Sequence, residues 1–211
     1  MKKLFALSLT CLLGAGILFS QGFEGMMEFK KKTAFDTVSY TYFVKGDKVR
    51  IDEVGAKSAK VEGSFIIDLK AGTMLSLSHD RKMYLEQKSP APTKPGGECK
   101  IEKTKNSKQI LGYKCVEWKV TNATENTIVS YWVTSGKFNF FGKMLNVLNR
   151  KDKFSVYYAQ LKAPDGSFPL LAVMSPMDGK ESERLETTKV EPKKVDAKNF
   201  MIPAGYTKFD K

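Results

Sequence analysis

A chain of 211 residues with 42% hydrophobic and 27% charged residues carries enough apolar material for one ordinary folded domain, which excludes global disorder. The formal charge of +12 comes mostly from lysine, and the 35 basic residues are spread along the chain with no compact basic stripe interleaved with aromatics. That distribution argues against nucleic acid as a partner and leaves a loose attraction to anionic surfaces.

The first element in chain order is "MKKLFALSLTCLLGAGILFSQ", residues 1–21. Lys2 and Lys3 precede an apolar run from Leu4 to Phe19, and polar residues follow, the pattern of a secretory signal peptide. The run is short of the ~20 residues that a membrane-spanning helix needs. Cleavage is expected near Ser20–Gln21, leaving one domain over residues 22–211 with no transmembrane span. Cys11 lacks a lipobox before it, so a lipid anchor is not expected. Two cysteines then remain, Cys99 and Cys115. In an oxidising compartment a lone pair is most simply a disulfide; two free thiols are the alternative.

Most of the remaining chain reads as β. In "VSYTYFVKGDKVRIDE" (38–53), Val38, Tyr40, Tyr42 and Val44 alternate onto one face, Lys45-Gly46-Asp47-Lys48 turns, and Val49 and Ile51 resume. "GSFIIDLKAGTMLSLSHDRKMYLEQ" (63–87) predicts three more strands joined by turns at Lys70-Ala71-Gly72 and His79-Asp80-Arg81. Connections this short require an antiparallel meander. "SPAPTKPGGE" (89–98) is a loop, after which "LGYKCVEWKV" (111–120) and "NTIVSYWVT" (126–134) form strands bearing Trp118 and Trp132.

One helix stands out. In "KFNFFGKMLNVLNR" (137–150), Phe138, Phe141, Leu145 and Leu148 recur at helical spacing, with Phe140, Met144 and Val147 widening the stripe. Residues 152–163 fit either a strand or a second short helix. "GSFPLLAVMS" (166–175) and "SERLETTKV" (182–190) predict a hairpin, and "KNFMIPAGY" (198–206) a terminal edge strand. The expected class is α+β, a bent antiparallel sheet with one or two helices against one face.

Five stretches in order carry a resemblance: "YFVKGDKVRID" (42–52), "SFIIDLKAGTMLSLSHDRKMY" (64–84), "QILGYKCVEWKV" (109–120), "GSFPLLAVM" (166–174) and "NFMIPAGY" (199–206). Together they resemble an uncharacterised domain family of exported Gram-negative proteins, similar in fold to periplasmic lipoprotein carriers of the LolA type. The resemblance implies a strongly curved antiparallel sheet, an incomplete barrel, with one or two helices against its concave face. It also implies an apolar hollow and a location in the periplasm or at the cell surface. The carrier's functional arginine aligns with none of Arg50, Arg81, Arg150 and Arg184.

No residue pattern points to catalysis. His79 is the single histidine, placed at a predicted turn, and no set of His and Cys ligands for a metal is present in the sequence. No catalytic residue, metal or cofactor is therefore expected. The candidate site is apolar: Phe138, Phe141, Met144 and Leu148 on the helix facing Tyr40, Tyr42, Ile67, Leu77, Trp118 and Trp132 on the sheet. Two readings stay open. Either these residues line a hollow for a lipid or acylated ligand, or they fill a solid core in an envelope module whose partner is another protein.

Overall fold

The computed structural model describes residues 22–209 apart from residues 57 and 90. The expected signal peptide, residues 1–21, lies outside the described residues. No helix among the described residues is long and apolar enough to cross a membrane.

Six strands come first: β1 (Gly25–Lys32), β2 (Thr37–Lys45), β3 (Lys48–Val54), β4 (Val61–Asp68), β5 (Thr73–Ser78) and β6 (Met83–Lys88). Three more follow the Pro- and Gly-rich loop: β7 (Lys100–Ile110), β8 (Tyr113–Asn122) and β9 (Thr127–Ser135). Two helices, α1 (Phe140–Leu148) and α2 (Lys153–Tyr158), precede β10 (Ser167–Ser175), β11 (Glu183–Pro192) and the two-residue β12 (Thr207–Lys208). The strands form one sheet in the order β12-β6-β5-β4-β3-β2-β1-β11-β10-β9-β8-β7. It does not close, and every pairing is antiparallel except β12 with β6. β1 joins the two meanders because it pairs with β2 on one side and β11 on the other. Pro169 is tolerated in central β10 because the ladder to β9 is broken by a bulge between Pro169 and Leu171.

The helices follow from local chemistry. α1 buries Phe140, Phe141, Met144, Val147 and Leu148, as their spacing predicts. Asn149 ends it in the left-handed region (φ 40°), its N–H donating to the Leu145 carbonyl. Three residues on, the Asp152 carboxylate accepts from the Ser155 N–H and starts α2. The ambiguous stretch 152–163 is therefore helical, continuing into a 3₁₀ turn at Ala159–Leu161.

The disulfide expectation is corrected. Both cysteines are free. The β7–β8 register sets Lys100 opposite Thr121 and Lys108 opposite Cys115, so Cys99 lies beside Asn122, whose Nδ2 is 3.6 Å from its sulfur. Cys115 is then seven residues away along β8, about 20 Å at ~3.3 Å per residue. A bridge needs Cα atoms within ~7 Å. Spacing in sequence said nothing of register.

The closing run is also corrected. Residues Ala197–Phe200 form a 3₁₀ turn and the Met201 side chain is exposed; among the described tail residues Thr207–Lys208 pair with β6. The tail is a strap across the sheet. Arg50 lies between Val49 and Ile51, which belong to the core that contains α1, so Arg50 faces the other way. On that helix-free face Lys45 Nζ donates to the Val195 carbonyl (2.6 Å) and Arg50 Nη1 to the Asn199 carbonyl (3.2 Å). Tyr206 then reaches His79.

His79 is thus more than a surface turn residue. Ser64 Oγ donates to Asp52 Oδ1 at 2.5 Å, so it accepts from His79 Nε2–H at 2.6 Å. This leaves His79 Nδ1 to accept from the Tyr206 hydroxyl at 2.5 Å. Arg50 donates both to Asp52 (2.6 Å) and to Ser64 (3.2 Å). Ser64 is 1% exposed and saturated with partners, so its pair with His79 is a structural tie.

Two outcomes are expected. Unfolded, unreduced protein labels at both Cys99 and Cys115; in the folded state burial raises both thiol pKa values and Cys115 is fully enclosed, so its labelling waits for unfolding. A count of no free thiols in mass spectrometry would overturn the register. The second concerns pH. Burial, and then the Arg50 charge, lower the His79 pKa below its ordinary 6.5, against weaker pulls from Asp52 and Asp80. The unfolded chain then binds the extra proton, so this contribution is complete above pH 6.5 and is lost as pH falls through the window beneath it. Melting temperature should decline in that window for the parent protein and stay flatter in His79→Gln. Asp68, Asp80 and Glu125, whose pKa values are lowered from 3.8, 3.8 and 4.5, titrate below it.

Candidate functional site

The helix-facing side of the sheet keeps its tyrosines because register places them there. Tyr40 and Tyr42 on β2 oppose Phe29 and Met27 on β1, and directly opposed residues share a face. Tyr131 on β9 shares it too, since its hydroxyl donates to the Phe154 carbonyl of α2 at 2.8 Å. Between this surface and the helices lies a hollow of about 340 Å³. Its apolar wall comes from Phe141, Met144, Leu145 and Leu148 of α1, with Phe154 of α2 and Ala172 of β10. Hollows of 460, 440 and 530 Å³ also occur, but at most two aromatic side chains line any of them, against six here.

Charged residues also stand in its wall. The link between α1 and α2 sets half-buried Arg150 and exposed Lys151 there, with Lys31 from β1 and Asp152. Asp152 is engaged as the α2 cap, and Lys31 pairs with Glu183 at 3.2 Å. Arg150 lies 5.4 Å from the centre of the Phe65 ring and has no ion pair among the described residues. Burial raises the pKa of both Tyr40 and Tyr42, with the Arg150 charge pulling the other way. Both phenols therefore stay protonated at neutral pH.

Tyr158 is the anomaly. Its side chain is 7% exposed, packs edge-on to Phe141 (5.1 Å) and Tyr131 (5.5 Å), and lines the hollow. Its hydroxyl has no hydrogen-bond partner among the described residues. Burial alone pushes its pKa far above the ordinary 10.0. A buried hydroxyl left unpaired costs about 1–3 kcal/mol.

Of the sequence-predicted residues, the structure brings together Tyr40, Tyr42, Phe141, Met144 and Leu148 around the hollow. Ile67 and Phe138 are core filler, at 0% and 3% exposure. Phe138 sits in an aromatic pile with Phe168 (5.1 Å) and Phe23 (5.2 Å). Leu77 belongs to the opposite face, because it pairs with Ser64, which faces the strap. Trp132 follows Tyr131 in a strand and so points away from the helices, its ring 3.9 Å from Lys108 Nζ. Trp118 opposes Tyr131 but lies outside the hollow beside Lys103, 5.1 Å away. The two tryptophans thus occupy opposite faces. Sequence reasoning missed Arg150, Tyr131 and Tyr158; the Asn149 stop and Asp152 start around Arg150 were the available signal.

The matching family covers residues 23–206, nearly all of the described fold. The chain belongs to DUF4412, a domain of unknown function. No curated protein sequence matches it. In fold, this DUF4412 domain is similar to an uncharacterised conserved protein from Thermus thermophilus. That likeness has a TM-score of 0.54 at 5% identity and covers 88% of this chain and 90% of that one. It is also similar to a chain of the Pseudomonas aeruginosa MucA/MucB complex, with a TM-score of 0.50 at 10% identity over 88% of this chain and 57% of that one. At such identities the likeness extends to the fold alone.

Two conservative substitutions in the DUF4412 domain separate the tyrosines. Tyr158→Phe removes a hydroxyl with no partner and should leave the ligand-free melting temperature equal or higher. Tyr131→Phe removes the bond to Phe154 and should cost about 1 kcal/mol. Equal losses in thermal melts would show that the Tyr158 hydroxyl is bonded after all.

Proposed function

We propose that this DUF4412 domain is an exported envelope protein that binds or carries a hydrophobic or acylated ligand, with no covalent chemistry on it. On this reading the open sheet curves round the helices as an incomplete barrel of the LolA type. The compartment is the periplasm or cell surface of a Gram-negative bacterium, in keeping with the leader-like pattern of residues 1–21. The observation that carries the reading is the 340 Å³ hollow, walled by α1 and floored by tyrosines. It falls at the small end of the ~300–1,000 Å³ range of ligand sites. Affinity would come from burial of apolar chain, ~0.8 kcal/mol per CH₂.

A second reading makes the domain an interaction module for a protein partner. It is favoured by β7, an eleven-residue strand at the sheet edge that pairs only with β8. The MucB of the similar complex is itself seen with a protein, MucA. Lys100, Lys103, Lys105 and Lys108, together with a bulge between Lys103 and Ser107, guard that edge against indiscriminate strand addition. The hollow therefore ranks first.

Ala172 separates the readings, because it lines the hollow with a 2% exposed side chain. Delipidated parent protein should take up a fluorescent fatty-acid probe. Ala172→Leu should block uptake while keeping or raising the melting temperature. Phe141→Ala and Met144→Ala should weaken uptake several-fold, and Phe141→Ala should also cost about 3–5 kcal/mol because its ring packs on Phe168 and Tyr158. A parent that takes up no probe, with Ala172→Leu destabilised by the ~1–3 kcal/mol of overpacking, would hand the case to the interaction module.

A further inference from the structure

An apolar chain alone has no use for the polar groups that the hollow presents. The guanidinium of Arg150 has no ion pair among the described residues, only the Phe65 ring beneath it. The hydroxyls of Tyr40 and Tyr42 make no hydrogen bond among the described residues, and both side chains line the same hollow near Arg150. Tyr158, more than nine-tenths buried, adds a third unpartnered phenol on the wall. Three phenols and an unpaired cation line one largely apolar space, where the Asp152 carboxylate is held by the α2 N-terminus and the other nearby carboxylate is Glu53, opposite Tyr40 in the β2–β3 ladder. Of these groups the Tyr158 hydroxyl is the one buried without an acceptor, a rare condition, while the Tyr40 and Tyr42 hydroxyls and Arg150 remain partly open; such a set is complementary to an anion.

We propose that the hollow takes a single-chain amphiphile with an acid head, a carboxylate or a phosphate monoester. The head lies at the mouth against Arg150 and the hydroxyls of Tyr40 and Tyr42, and the chain runs inward along Phe141 and Met144. This inference rests on the ligand-binding reading above and narrows it. A chain joined through an ester or amide bond, as on a lipoprotein, brings no charge and leaves Arg150 unanswered. The small volume, 340 Å³, favours one chain over two.

The test is competition against a fluorescent probe by tetradecanoic acid, its methyl ester, tetradecanol and tetradecyl phosphate, with inorganic phosphate as the headgroup alone. The acid and the alkyl phosphate should bind at least about tenfold more tightly than the ester and the alcohol, the lower end of what one hydrogen bond to a charged group contributes. In Arg150→Gln the acid should fall to the level of the ester, with the ester unchanged. Arg150→Lys should restore part of the preference, and melts should show that these variants are folded. Tyr42→Phe should reduce the preference for the acid without touching the alcohol. Equal binding of acid and ester by the parent overturns the inference and leaves the ligand-binding reading standing, as does a preference that survives in Arg150→Gln. Inorganic phosphate that competes as well as the alkyl phosphate overturns it too, since the chain would then contribute nothing. A parent that binds none of the chains removes both this inference and the reading beneath it.

Discussion

The pile of rings around Phe168 is the constraint on which the helical layer depends. Phe168 is 1% exposed and touches Phe29 of β1 (6.0 Å), Phe138 before α1 (5.1 Å), and Phe140 and Phe141 within α1 (6.1 and 4.6 Å). Such contacts add to simple burial because edge and face charges of the rings are complementary. They clamp the first turn of α1 to the sheet. Beyond that clamp the hollow opens beside Met144 and Leu148, ringed by Tyr40, Tyr42, Tyr131 and Tyr158. The same pile that fixes the helix thus decides where packing stops. It can do so because Phe168 lies just before the bulge in β10, where the ladder to β9 is interrupted.

The sheet's two faces divide the work through the period-two alternation of its strands. One face takes the helices and the hollow. The other, at β3 to β5, carries Arg50, Asp52, Ser64 and His79, which would be a strongly destabilising polar set if left half-dry and unpaired. The C-terminal strap resolves this by bringing the Asn199 carbonyl and the Tyr206 hydroxyl to Arg50 and His79. Leu77 and Val195, at 3% and 2% exposure, are buried outside the main core. The terminal aromatic run is thereby a cover and not a strand, which is consistent with Pro203 lacking the N–H that a ladder would need.

Where periodicity reports burial, the fold was legible. The stripe of α1 and the alternation of Tyr40, Tyr42 and Val44 read directly, because each has one dry face and one wet face. β7 was not legible: "KIEKTKNSKQI" is polar on both faces, being an edge strand held only by β8, so no apolar period marks it. β1, with Met27 and Phe29 alternating against glutamate and lysine, carried a readable signal that a short lysine-rich run obscured. The errors at the site share one cause. Leu77, Trp132 and the Cys99–Cys115 pair were all judged by residue type and spacing. Their true positions depend on register, which one-residue steps invert.

The polar groups in the hollow and those under the strap make an instructive pair. Both sets bury titratable and hydroxyl groups against a sheet face. Under the strap every hydroxyl and ring nitrogen of Ser64, His79 and Tyr206 has a partner from the chain itself, so that set is complete and serves to hold structure. In the hollow the Tyr131 hydroxyl is likewise answered, by Phe154, and Asp152 by Ser155. Tyr40, Tyr42, Tyr158 and Arg150 have no such partner among the described residues, and Tyr158 shares with Thr187 of β11 a buried oxygen left unpaired. Replacing Tyr158 by phenylalanine would keep the apolar wall and remove the penalty of a dry, unpaired donor. The Tyr158 hydroxyl carries that cost within the hollow, and the proposed ligand is what would offset it.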